Sequence, residues 1–323
     1  MSSRTPPPTT KSAPRPVGGG GAWFGLSTLS ATLLAFCFPF ASAWWLAWFA
    51  LAPLYYALLS VRGNPLAGAG CGAAFGFTLH IVGCKWMDAL GVVPWVGVSV
   101  FESGAFAVFG AVAAFALFRL PGVVRPLFFA ALWTTLEYVR TLGVMAFPWF
   151  PLAATQVPVL PMVQIVAVTG QWGLSFAVAV VNALVVEAVV ARRMKDAPMF
   201  KLAATAAVSV PVLLAVVGSI SQSLVAAQDT MDESNLPGNT RTIALIQGNV
   251  GKIADNAEQT DYRETALQTY LQMTRVAVAE PRDRRMEEVD FVLLPEAVLP
   301  GFLLRDPNVF LAVTALARET NTD

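Results

Sequence analysis

The fold class predicted here is a multi-span α-helical membrane bundle followed by the start of an α/β unit, and three observations point to it. Only 13% of the 323 residues are charged while 56% are hydrophobic, and mean hydropathy is +0.60. A soluble domain carries about 25% charged residues, so this chain has about half the supply needed to cover itself with solvated surface. Seven apolar segments, each near the ~20 residues that cross a hydrocarbon core, occupy the first two thirds of the chain. Beyond residue 241 the pattern changes to apolar runs alternating with helical periodicity.

Taken in order, residues 1–21 are rich in Pro, Gly and Thr, with three cations and no acid. They are expected to form a disordered cytoplasmic tail. One long apolar segment then follows another, so no signal-peptide cleavage is expected. The spans are placed at 22–40, 43–60, 66–87, 90–118, 124–146, 162–190 and 200–224, making a transmembrane domain of residues 22–225. Arg62, Arg119, Arg125, Arg192, Arg193, Lys195 and Lys201 fall in alternate connections. Lys85 and Arg140 are the cations nearest the other side. This asymmetry puts the N-terminus inside and everything after residue 225 on the outer face.

Residues 226–241 are a polar linker. "TIALIQGNV" at 242–250 and "VDFVLLPEAVLPG" at 289–301 are buried-strand signals. Between them Leu267, Tyr270, Leu271 and Thr274 recur at i, i+3, i+4 and i+7, the spacing of a helix face. "PNVFLAVTALARET" reads as a second amphipathic helix. The order β-α-β-α with continuous apolar strands implies a parallel sheet covered by helices. Domains of this kind run to about 100–150 residues, so residues 242–323 are expected to be an incomplete one.

Composition excludes several functions. The formal net charge is +0, giving no electrostatic footprint for nucleic acid. Cys37, Cys71 and Cys84 lie in apolar segments without Cys-x-x-Cys spacing, and there is one histidine. Neither a disulfide framework nor a zinc cluster is expected. No metal or cofactor is called for.

Glu296 leaves the second strand at its carboxyl edge, where ligands of open α/β sheets sit. Against apolar walls it could serve as a general base; the alternative is a solvated strand-end glutamate. Glu137 and Arg140 lie three apart on the fifth span, close enough to neighbour one another on one face. Charges in a membrane are costly, so the pair either faces a cavity or braces the interface. Glu102, Lys85 and Asp88 raise the same question with less support. His80 reads as a packed or hydrogen-bonded residue, and Gly68, Gly72 and Gly76 as a close helix-packing seam. "FPWFPLAATQVP", 147–158, is an uncharged aromatic loop, either an interfacial belt or part of a lipid site.

"IALIQGN" followed by a helix and "FVLLPEAVLPG" resembles the opening of the carbon–nitrogen hydrolase (nitrilase) domain. With "WLAWFALAPLYYAL", "AAFGF", "ALWTTLEYVRTLGVMAFPWF" and "GQWGLSFAVAVVNALV" in the spans, the chain resembles the apolipoprotein N-acyltransferase family over residues 22–320. The resemblance implies a phospholipid acyl donor and a diacylglyceryl apolipoprotein acceptor. The acyl chain would pass through a cysteine thioester in the bacterial inner membrane. It implies Glu296 as base of a Glu-Lys-Cys triad, and Pro148 and Trp149 as lipid-facing floor of the active site. Glu137 and Arg140 are taken as further substrate-binding candidates. Residues 297–323 hold neither Lys nor Cys, so residues 1–323 alone are expected to lack acyl transfer. The alternatives are a non-catalytic lipid- or lipoprotein-binding membrane protein derived from that family and, less favoured, a transporter.

Overall fold

The computed structural model describes residues 20–38, 41–232, 241–248, 259–279, 289–295 and 306–320. The chain divides into two compact units, Met1–Gln228 and Asp229–Asp323. In the first, α1 (Gly20–Ala35) is followed by a 3₁₀ turn at Trp44–Leu46 and by α2 (Ala47–Ala50) and α3 (Ala52–Ser60). Then come α4 (Pro65–Gly83), α5 (Val92–Leu117), α6 (Arg125–Val139), α7 (Leu160–Val163), α8 (Val166–Arg193) and α9 (Ala197–Asp232). Among the described residues, α4, α5, α8 and residues Ala197–Leu224 of α9 are long and apolar enough to cross a membrane. Gly21–Ala35 and Trp44–Ser60 are shorter apolar helices, and α6 has 15 residues.

Four of the expected spans differ in detail, each for a local reason. The second breaks at Leu51, because Pro53 at the start of α3 cannot donate an N–H. Asn182 of α8 fills the break. Its Oδ1 accepts from the N–H groups of Leu51 and Ala52 at 2.8 and 3.1 Å, and its Nδ2 donates to the Ala47 carbonyl at 2.8 Å. The third ends at Gly83 and passes into a 3₁₀ turn at Lys85–Leu90. The fifth stops at Val139, seven residues before 146, because Arg140 turns inward and the chain reverses through Gly143 at φ +83°. In the sixth, Gly170 (φ 64°, ψ −179°) interrupts the first turns of α8.

α4 and α5 pack with their backbones in close approach. A Cβ on Gly68 would overlap the Gly110 carbonyl, one on Gly72 the Phe106 carbonyl, and one on Gly110 the Gly68 carbonyl. The expected glycine seam is therefore real, and Gly110 supplies its other half. Beside it Trp133, Phe75, Phe106, Phe109 and Phe129 form a buried aromatic core, several meeting edge-to-face at 5.5–5.7 Å. At the opposite end from the loop described below, Tyr55 donates to Glu187 Oε1 at 2.7 Å. Arg125 lies 3.6 Å from the same oxygen and donates to the Leu117 and Leu120 carbonyls at the end of α5.

The second unit contains β1 (Ile243–Leu245), α10 (Gln259–Ala279), β2 (Phe291–Leu293) and α11 (Pro307–Thr320). β1 and β2 are parallel, as expected, with Ile243 opposite Phe291 and Leu245 opposite Leu293. The strands were expected to be buried. Instead Ile243, Leu245, Phe291 and Leu293 are exposed among the described residues. Arg241 and the Thr242 N–H both hold the Asp290 carboxylate at 2.8 Å, tying the two strands at one end. Leu267 and Leu271 of α10 pack on Val309 and Leu316 of α11, with Arg275 and Glu319 paired outside them.

Candidate functional site

The C-terminal ends of α4 and α6, the N-terminal end of α5 and the start of α8 meet around the loop Phe147–Gln156. Loops expose backbone groups that must find partners, and here buried side chains supply them. Arg140, the C-cap of α6, is 8% exposed. Its Nε donates to Glu102 Oε2 at 2.7 Å, Nη1 to the Trp149 carbonyl at 3.2 Å, and Nη2 to the Phe147 carbonyl at 3.0 Å and to His80 Nε2 at 3.0 Å. His80 Nδ1 lies 2.8 Å from the Gly76 carbonyl. A carbonyl only accepts, so Nδ1 carries the proton and Nε2 accepts from the guanidinium, which fixes the neutral tautomer. Glu137 Oε1 accepts from the Trp133 indole at 2.7 Å and from the Leu152 N–H at 2.8 Å. Ser175 of α8 accepts from the Ala153 N–H at 3.0 Å. At the far end Gln156 takes the Trp48 indole N–H at 3.0 Å and donates to the Trp44 carbonyl at 3.2 Å.

The loop also holds a strained residue. Phe150 sits at φ +65°, a region an L side chain enters at a cost of about 1–3 kcal/mol. Its ring is buried against Phe38 at 5.0 Å and His80 at 5.5 Å, over Gly83, where a Cβ would overlap the ring. Burying a Phe contributes about 1.5–3 kcal/mol, enough to offset the strain, and the flanking hydrogen bonds add about 1 kcal/mol each. The result of sending Phe150 inward is that Trp149 points out. Trp149 is 44% exposed. It stacks on Phe147 at 5.7 Å and lies 5.0 Å from the half-exposed Trp86.

Glu137, Arg140, Pro148 and Trp149 line one crevice, together with Gln171 and Trp172 from the first turns of α8. It holds about 10 Å³, room for about one water molecule. All four membrane-unit candidates therefore converge. Their pairing is corrected, however. Arg140 bonds Glu102 rather than Glu137, because it lies one residue past the end of α6, where its side chain turns into the α4–α5 interface.

Residues 30–184 match the family model described as apolipoprotein N-acyltransferase N-terminal domain. Within the membrane unit this segment is similar to the N-terminal domain of the apolipoprotein N-acyltransferases. Along the chain the similarity extends further. An apolipoprotein N-acyltransferase of Geobacter metallireducens is 28% identical over 309 residues, covering 92% of this chain and 55% of the relative. One from Methylococcus capsulatus is 28% identical over 323 residues, covering 92% and 56%. Apolipoprotein N-acyltransferase 2 of Treponema pallidum is 31% identical over 192 residues, covering 54% and 33%. The chain spans little more than half the length of the first and second of these, and a third of the last.

The loop that gathers the candidates lies inside the segment matched to the apolipoprotein N-acyltransferase N-terminal domain. Glu296, the expected base, lies outside the described residues. Sequence reasoning gave little weight to Glu102 and passed over Ser175, Gln156 and Asn182. Their signal was present, since each is a polar residue in or beside an apolar span, where such residues face partners.

Proposed function

We propose that the protein moves an acyl chain from a phospholipid to the N-terminal amine of diacylglyceryl-cysteine apolipoproteins, through a cysteine thioester. The carrying observation is the loop Phe147–Gln156, inside the family-matched segment, which buried charges and a strained Phe150 hold so that Trp149 stands out beside Trp86. A fixed aromatic surface at the end of an apolar bundle suits a substrate that lies in lipid. In this reading Trp149 and Pro148 position the acyl chain, and Glu137 and Arg140 hold the loop and its crevice. The apolar segments make seven spans in the bacterial inner membrane. The N-terminus is cytoplasmic, with residues 226–241 as linker and 242–323 as part of a nitrilase-like unit on the outer face.

Glu296 is the general base. It takes the proton of a thiol, whose sulfur attacks the phospholipid ester carbonyl; the C–O bond breaks and a lysophospholipid leaves. The substrate amine then attacks the thioester, the C–S bond breaks, an amide forms, and the thiol regains a proton. Cys37, Cys71 and Cys84 are all buried in the membrane unit, so none of them is the nucleophile. The test is expression from the protein's own gene in bacteria depleted of their apolipoprotein N-acyltransferase. A third acyl chain on the N-terminal lipopeptide of a model lipoprotein, seen by mass spectrometry, is expected. Lipopeptides that stay diacylated despite normal membrane insertion would overturn the proposal.

A further inference from the structure

His80 is the one histidine in the chain, and it is fully buried on α4. Its Nδ1–H is committed to the Gly76 carbonyl at 2.8 Å, and its Nε2 accepts from Arg140 Nη2 at 3.0 Å. A guanidinium keeps its protons, so that second bond exists only while Nε2 is unprotonated. A proton on Nε2 would set one donor against another. The same nitrogen has a further neighbour. Glu102 Oε2 lies 3.8 Å away, beyond hydrogen-bond distance, and it is the oxygen that takes Arg140 Nε at 2.7 Å. A protonated His80 therefore loses Arg140 as a partner and competes with it for Glu102.

The loop feels that competition directly. The two remaining partners of Arg140 are the Phe147 and Trp149 carbonyls, so a guanidinium displaced from His80 and Glu102 no longer holds them in one plane. The Phe150 and Phe147 rings also lie against the imidazole, at 5.5 and 6.0 Å. Few other charges bear on the swap. α4 contributes the Cys84 thiol, α5 Glu102, and α6 Glu137 and Arg140. No charged residue lies on α1, in the loop 147–156, or in α8 before Glu187. Lys85 and Asp88, in the turn after α4, are exposed and pair with one another.

We propose that His80 is a proton-sensitive positioning residue. Neutral, it holds Arg140 and through it the outward setting of Trp149; protonated, it pairs with Glu102 and frees the loop. Acid thus loosens the aromatic surface on which the acyl chain is placed. That this slows acyl transfer rests on the acyl-transfer reading, whereas the swap at His80 does not.

The test uses the whole protein in phospholipid nanodiscs, labelled with nitrogen-15 histidine and 5-fluorotryptophan. Nitrogen and fluorine NMR are followed from about pH 8 to about pH 3.5, a range that brackets the ordinary histidine value of about 6.5. With one histidine the nitrogen signals assign themselves, and Trp149→Phe, a change at an exposed residue, identifies the Trp149 fluorine signal. At the upper end Nδ1 should carry the proton and Nε2 none. On acidification Nε2 should gain a proton, and the Trp149 signal should shift in step with it. His80→Gln, whose amide oxygen accepts from Arg140 and takes no proton, should keep the Trp149 signal at its neutral position and remove the response. An imidazole that stays neutral throughout, or one that is protonated while Trp149 stays still, would overturn the proposal without any change to a buried residue. A Trp149 response that persists in His80→Gln would overturn it too. If the linked response is present but no third acyl chain is ever added, the swap stands and the acyl-transfer reading falls; acylation without the response means the reverse.

Discussion

Arg140 is the residue on which the site geometry depends most. One planar guanidinium joins α5 through Glu102, α4 through His80 and the loop through two carbonyls. Lysine offers three donors from a point and cannot reproduce that fork. Arg140→Ala removes one partner of a buried ion pair, a change that costs about 3–5 kcal/mol. A lower thermal midpoint in detergent is therefore expected, with altered Trp fluorescence as Trp149 loses its fixed setting. Arg140→Lys should recover only part of both. An unchanged midpoint and spectrum for Arg140→Ala would show that the loop holds itself. Glu137 and Arg140 stood out in the sequence because charges within apolar segments need partners. Which partner each takes was not legible, since Glu102 and His80 come from other helices and meet Arg140 only through packing.

At the scale of elements, the broken helix and the short strand pair each depend on a polar clamp. Asn182 satisfies the N–H groups of Leu51 and Ala52, which the α2–α3 break leaves open. Burying such a group unpaired costs about 1–3 kcal/mol. Asn182→Ala should accordingly lower stability by about 2–5 kcal/mol, read as the shift in denaturant midpoint, and Asn182→Asp should restore the acceptor function alone. A neutral Asn182→Ala would mean that the break has other support. In the second unit the Thr242 N–H, assisted by Arg241, holds the Asp290 carboxyl below the usual carboxylate range. A depressed folded value means that the contribution is complete above the unfolded value, about 3.9, and is lost as pH falls through the folded one. The protection of β1 amides, taken relative to their intrinsic exchange rates, should thus fall on acidification below about pH 4, a response that Asp290→Asn should abolish. The same exchange profile in both proteins would remove Asp290 from the account. Helix positions were readable from apolar runs to within a few residues. Their ends were not, because the ends are set by Asn182, Arg140 and Gly170, whose tertiary roles leave little periodic signal.

For the whole molecule, hydropathy separated an apolar part from an α/β part, and the parallel pairing of β1 with β2 was inferred correctly from the β-α-β order. Among the described residues Ile243, Leu245, Phe291 and Leu293 are exposed rather than buried, because an apolar run reports what a strand can bury and not which neighbours it has. The aromatic loop was conspicuous as "FPWF", yet nothing local indicated that Phe150 turns in while Trp149 turns out. That alternation follows from Gly83 making room for the Phe150 ring and from Arg140 holding the Phe147 and Trp149 carbonyls just before it. The central claim is that this loop and Glu296 serve a single acyl-transfer chemistry at the membrane. Its most direct test is the mass of a model lipoprotein's N-terminal peptide, from cells relying on the protein with and without Glu296→Gln. The account predicts a third acyl chain with Glu296 and a diacyl product with Gln, at equal membrane levels of the two proteins. A third acyl chain in both would contradict it.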